Sequence, residues 1–132
     1  MMQELSRGER KAHKAHQCFD CYRTIPKGAM HAYFTGAYDG SAYTLRSHLD
    51  CRDASIEYAS AGWDDYNYEG IPPLADMMHE SGEFEDECDR MRGFFPHVIA
   101  RLELTEQLAE IRHEARLAEI RHEARLAEVY NA

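Results

Sequence analysis

The sequence Cys18-Phe19-Asp20-Cys21, answered after 26 residues by His48-Leu49-Asp50-Cys51, decides the fold of this chain. Two close pairs supply three thiolates and one imidazole, the ligand set Zn²⁺ takes in closed, four-coordinate structural sites. Two disulfides or four unrelated residues are the bland alternatives. Cys18 and Cys21 enclose too short a loop for an ordinary structural disulfide. A redox Cys-x-x-Cys pair belongs at a strand-to-helix junction of a parallel-sheet protein, and no segment here alternates strand and helix that way. One structural Zn²⁺ on Cys18, Cys21, His48 and Cys51 is therefore expected, contributing about 10–16 kcal/mol to folding.

The sequence between the pairs agrees with that expectation. Ile25-Pro26-Lys27-Gly28 is a turn, because proline presets its own φ and glycine relieves the exit. Met30–Tyr38 and Ser41–Arg46 are rich in aromatic and β-favouring residues, and Asp39-Gly40 joins them as a tight hairpin. That register puts Phe34, Tyr38, Tyr43 and Leu45 on one face, expected to be packed. Thr35, Thr44 and Arg46 fall on a wetter one. Ser47 reads as an N-cap with Asp50 three residues on. A helix from His48 to about Ala61, stopped by Gly62, would carry His48 and Cys51 in its first turn.

Knuckle, hairpin and ligand-bearing helix together resemble the treble-clef zinc finger, with the Cys-Cys-His-Cys ligand order of a LIM domain but a single site. The likeness covers about residues 13–62. Cys18 and Cys21 match the knuckle pair, and His48 and Cys51 match the helix pair. A lone finger on a short acidic chain also resembles small uncharacterised phage and bacterial zinc-finger proteins. The resemblance implies a scaffold used for protein binding, nucleic-acid binding and nuclease sites alike, so it leaves function open. Nuclease variants need further histidines around a catalytic metal. His31 on the hairpin is the one residue to consider there, and a packed or surface ring is the commoner role for such a histidine. His13 and His16 precede the knuckle, but the ligand set is complete without them.

The chain has 132 residues and a net charge of −9, and that charge is distributed in blocks. Asp53 to Asp89 holds twelve Asp/Glu and no Lys or Arg. Residues 1–16 carry Arg7, Arg10, Lys11 and Lys14 against Glu4 and Glu9, and Arg112, Arg116, Arg121 and Arg125 balance the tail. A solvated face is the usual fate of an acidic run. Here, however, Tyr58, Trp63, Tyr66, Tyr68 and Phe84 interleave the acids, as at contact surfaces. Such a segment repels phosphate and complements a basic protein surface.

Pro72-Pro73 opens a short helix, Leu74 to Glu80, with Met77 and Met78 as packing residues. Ser81 is expected to cap a second helix ending at Gly93, with acids in its first turn. Cys88 in that helix reads as an inert thiol. Pro96 starts a long helix, whose Val98, Ile99 and Leu102 suit docking on the finger. From there Leu104, Leu108, Ile111, Ala115, Ala118, His122 and Val129 trace a thin heptad seam.

Ala109–Leu117 recurs unchanged at Ala118–Leu126. Nine residues make about 2.5 helical turns, so Ile111 and Ile120 face opposite sides. A helix of about 50 Å with two weak apolar faces points to a modest homodimer through Leu104, Leu108, Ile111, Ala115, Ala118 and Val129.

The expectation is thus an α+β chain in four parts. Residues 1–12 are a flexible basic N-terminus, 13–62 the zinc finger, 63–95 an acidic loop with short helices, and 96–132 a long repeat-bearing helix. No apolar run reaches the roughly 18 residues of a membrane span, and the N-terminus lacks a signal core, so a cytoplasmic protein is expected. No catalytic constellation is visible. The expected activity is non-enzymatic binding of a protein with a basic surface, such as a nucleic-acid-handling complex. An inhibitor or adaptor of the anti-CRISPR or antirestriction kind fits that charge logic. The contact residues would be Trp63, Asp64, Asp65, Tyr66, Tyr68, Glu69, Glu83, Glu85, Asp86 and Glu87. The rival is a nucleic-acid binder using the basic N-terminus.

Overall fold

Asp39 and Gly40 take φ angles of 49° and 82°, the paired positive values that a two-residue hairpin requires. They join β4 (Met30–Tyr38) to β5 (Ser41–His48), with Phe34 opposite Leu45 and Thr35 opposite Thr44. The computed structural model describes residues 2–60 and 72–131. The chain is α+β, with a small antiparallel sheet and, among the described residues, four helices. It divides into two compact units, Met1–Leu102 and Glu103–Ala132.

The segment expected to be a flexible basic arm is instead a strand. β1 (Met2–Lys11) pairs antiparallel with β4 along its whole length, with one bulge between Glu4 and Ser6, giving the sheet order β1-β4-β5. Its sequence has no apolar alternation because it is an edge strand held by main-chain bonds, and charged side chains suit an edge. Cross-strand contacts add to this. Tyr33 lies against Gly8, where an added Cβ would meet the ring at 3.2 Å. The Arg10 guanidinium sits 3.7 Å from the centre of the same ring.

Strands β2 (His16–Gln17) and β3 (Thr24–Ile25) pair to form the knuckle. The Cys18 N–H donates to the Arg23 carbonyl at 2.8 Å, and the Phe19 N–H donates to the Arg46 carbonyl at 2.7 Å, tying the knuckle to β5. Gly28, at φ 90°, turns the chain into β4 as the Pro-Lys-Gly sequence indicates. The sealed face expected for the hairpin does not form. Phe34, Tyr43 and Leu45 are only half-buried and Tyr38 is exposed, whereas His31, Ala32 and Ser47 at the knuckle end are buried. Burial follows the knuckle rather than one side of the ribbon.

Helix α1 (Leu49–Ser60) follows β5 directly, so His48 closes the strand and Cys51 lies in the first helical turn. Ser47 does not cap this helix. Its hydroxyl donates to Asp20 Oδ2 at 2.8 Å. Asp20 is buried, and it also reaches α2 (Leu74–Glu80), accepting from the Leu74 N–H at Oδ1 and from the Ala75 N–H at its carbonyl, each at 3.0 Å. The residue before α2 is Pro73, which offers no side-chain cap, so the knuckle caps this helix from 54 residues away. Burial pushes the Asp20 carboxyl up to about 6, against the pull of the Ser47 hydroxyl.

Ser81 likewise does not cap α3 (Phe84–Met91). Its hydroxyl accepts from the Glu83 N–H at 3.1 Å and donates to the Met78 carbonyl at 2.7 Å, closing the turn between α2 and α3. The expected packing residues are in place. Met77, Met78, Val98, Ile99 and Leu102 join the core around Cys18, Cys21 and Cys51, and so does the buried thiol of Cys88. Helix α4 runs Pro96–Asn131. In its second-unit portion Leu108 is half-buried and the other large apolar residues are open, with Ile111 at 60% and Val129 at 72% exposure.

Asp20→Ala should strip β5 and α2 of a shared side-chain acceptor. An expected loss of about 2–3 kcal/mol follows from leaving a buried hydroxyl and helix N–H unpaired. Urea unfolding of the metal-loaded protein measures it, and Asp20→Asn should recover part of the loss.

Candidate metal centre

The knuckle delivers Cys18 and Cys21, the end of β5 delivers His48, and the first turn of α1 delivers Cys51. Their ligand atoms all lie within 4.8 Å of one another. This is the group of four anticipated from the sequence, and the structure brings every member together. His48 Nδ1 is 3.5 Å from the Cys21 sulfur and 3.7 Å from the Cys51 sulfur. A tetrahedral ion with Zn–S near 2.3 Å and Zn–N near 2.05 Å separates such atoms by about 3.6 Å. All three sulfurs are fully buried. The cluster can therefore hold one metal ion, and its geometry is compatible with Zn²⁺.

Two contacts around the ligands were not legible in the sequence. His48 Nε2 donates to the Thr24 carbonyl at 3.2 Å. That bond fixes the tautomer that turns the Nδ1 lone pair toward the sulfurs. Arg101, from the first unit's part of α4, donates to the Cys51 sulfur at 3.2 Å and to the Asp50 carboxylate. Three thiolates around a divalent ion leave a net charge of −1, and a guanidinium on one sulfur offsets it.

The donor set itself calls for a cation. Hydrogen bonds from Cys21 and Cys51 pull the Cys18 thiol far below its ordinary range. Those from Cys18 and Cys21 push Cys51 far above it. The Cys18 and Cys21 sulfurs push the His48 ring up to about 10. One thiolate is readily formed and the last is strongly opposed, because like charges cannot accumulate in a buried cluster. A divalent ion is the group that lets all four ligands deprotonate together.

The other histidines of this region differ in role. His31 is 1% exposed, and neither of its ring nitrogens has a hydrogen-bond partner among the described residues. Leaving such a group unpaired costs about 1–3 kcal/mol. Its ring centre lies 5.9 Å from that of His16, which is half-buried. Burial, then the charges of Arg46, Lys14, His31 and Arg10, hold the His16 imidazole below its ordinary value.

Of the expected partner-binding residues, Trp63, Asp64, Asp65, Tyr66, Tyr68 and Glu69 lie outside the described residues. Glu83, Glu85 and Asp86 are exposed on or beside α3, while Glu87 is half-buried and accepts from Arg90 Nε at 2.9 Å. A feature the sequence reading missed lies next to them. Glu57, Tyr58, Arg90, Met91, Phe94 and Phe95 line a groove of about 320 Å³, and Phe94 at its rim is 83% exposed. The Phe94-Phe95 doublet before Pro96 was its only signal. No helix among the described residues is long and apolar enough to cross a membrane. The chain matches no protein family, no curated protein and no solved structure.

Purified protein should retain close to one zinc per chain after dialysis and release it as pH falls, since protons compete for every ligand. Cys51→Ser should lose the metal while Cys88→Ser keeps it. Arg101→Gln should keep it but yield it to a chelator about 10-fold more readily. Metal analysis and chelator competition check all three.

Proposed function

We propose that the chain is a non-enzymatic binding module built on a treble clef with one structural Zn²⁺, and that it engages a protein with a basic surface. The observation that carries this reading is Phe94, almost wholly exposed at the rim of an aromatic groove. Exposed aromatic anchors beside pockets dominate binding energy at protein interfaces. The groove's neighbourhood supports the sign of the partner. Glu83, Asp86 and Glu87 precede Arg90 on α3 by seven, four and three residues, the spacings that share a helix face. Glu87 neutralises Arg90, so that rim is acidic.

A closed cluster of four protein ligands fits a structural ion better than a catalytic one, which needs an open position. The metal would hold the knuckle, sheet and helices in register, and the surface built on them would do the binding. An inhibitor or adaptor of a nucleic-acid-handling protein is the sharpest form of this reading. The second unit adds a helix whose exposed Leu104, Ile111 and Val129 on one side, and Leu117 and Ile120 on the other, suit a weak pairing with a second copy.

Affinity capture from cell lysate, comparing wild type with Phe94→Ala and with Glu83, Glu85 and Asp86 all changed to Lys, tests the binding surface. The expected result is a protein partner retained by wild type, released by salt, and lost by roughly 10-fold or more in both variants at unchanged metal content. Nucleic acid in the eluate, equally abundant with both variants, would favour the rival reading instead.

Light scattering tests the second unit. The full chain should self-associate modestly at high concentration, and a chain ending near Leu104 should be monomeric. Monomers in both mean that the helix stands solvated.

A further inference from the structure

A second constellation occupies the sheet, separate from the four metal ligands. The registers align Arg10, His31 and His48 in one cross-strand row and Gly8, Tyr33 and Arg46 in the next. Residues two apart on a strand share a face, so Arg10, His31, Tyr33 and Arg46 all project from the side that carries His48. His31 sits on the central strand, buried, with both ring nitrogens unpartnered among the described residues. His16 of the knuckle covers it, ring to ring at 5.9 Å and tilted by 42°. The Arg10 guanidinium carbon lies 3.7 Å from the centre of the Tyr33 ring, a contact to the π-face that uses none of the guanidinium's N–H donors in a hydrogen bond to oxygen. Arg46 and Lys14, with Arg10, lie within electrostatic reach of His16.

The charge of this cluster selects its occupant. A metal ion is disfavoured by three fixed cations. Among the described residues the only group of three or more metal-ligating side chains is the Cys/His centre. An oxyanion is favoured on each count. It would accept from a buried imidazole N–H that has no acceptor, and it would relieve the crowding of positive charge. Its tetrahedral oxygens also match the fork of an arginine.

We propose that His16, His31, Arg10, Arg46 and Lys14 form a phosphate-binding site on this face of the sheet. His31 closes the site from beneath, half-buried His16 forms its wall, and the two arginines and the lysine meet the outer oxygens. The site is independent of the acidic groove, and it takes either a free or terminal phosphate or a phosphodiester of a nucleic-acid strand. The two sources share the oxyanion and differ in how many neighbours it brings.

The test uses the full-length, metal-loaded protein. Histidine ring resonances are followed by NMR during titration with inorganic phosphate at constant ionic strength, then with a short single-stranded oligonucleotide. Both are repeated with His31→Leu and Arg46→Gln, after checking metal content. Saturable shifts of the His16 and His31 rings, with affinity at least 10-fold weaker in Arg46→Gln and in His31→Leu, are the expected result. Binding by inorganic phosphate identifies a free or terminal phosphate, and binding by the oligonucleotide alone identifies a phosphodiester. His31→Leu replaces an unpaired buried ring with an apolar group, so a purely structural role would alter thermal stability without altering affinity. Should that variant fail to fold, the wild-type ring shifts and Arg46→Gln still decide. The proposal is overturned if neither ligand moves the two rings, or if binding persists unchanged in the variants.

Discussion

Three fully buried sulfurs and a half-buried imidazole converge within 4.8 Å, and most of the first unit is organised by that convergence. Such a cluster is unfavourable by itself, because its thiolates repel one another and have lost their water. A divalent ion held there would turn it into the strongest single tie in the unit. The knuckle, β5 and α1 each contribute ligands, so their relative positions are set at one point. The core residues of α2, α3 and α4 then pack against the buried sulfurs.

Contacts one step out carry that tie further. Asp20, between the two knuckle cysteines, grips Ser47 and the start of α2. Thr24 orients the His48 ring. Arg101 brings the beginning of α4 onto the Cys51 sulfur. The metal centre would thus be coupled to elements that supply no ligand, including α3 and the aromatic groove beside it. In the proposed function, this is how a structural ion supports a surface on which it has no direct contact.

What the sequence disclosed, and what it did not, divides along the range of the interactions. The four ligands, the Asp39-Gly40 turn and the proline starts of α2 and α4 are local signals, and each is found where its residues predict. Ser47 and Ser81 also look like helix caps locally, yet both hydroxyls are used elsewhere, because a buried carboxylate and an inter-helix turn compete for them. β1 was hidden because an edge strand needs no apolar alternation, only a partner strand, and that partner is 19 or more residues away. His31 gave no hint of being buried without a partner. Arg101 gave none of its sulfur contact, since both depend on tertiary placement.

The central claim is that a metal ion at Cys18, Cys21, His48 and Cys51 holds the first unit together. Near-ultraviolet circular dichroism during chelation and zinc restoration tests it most directly, because Tyr58 and Phe95 are buried or packed in the core around the sulfurs. The account predicts that the aromatic signal collapses as metal is removed and returns with one equivalent of zinc. An aromatic signal that survives complete removal of metal would contradict it.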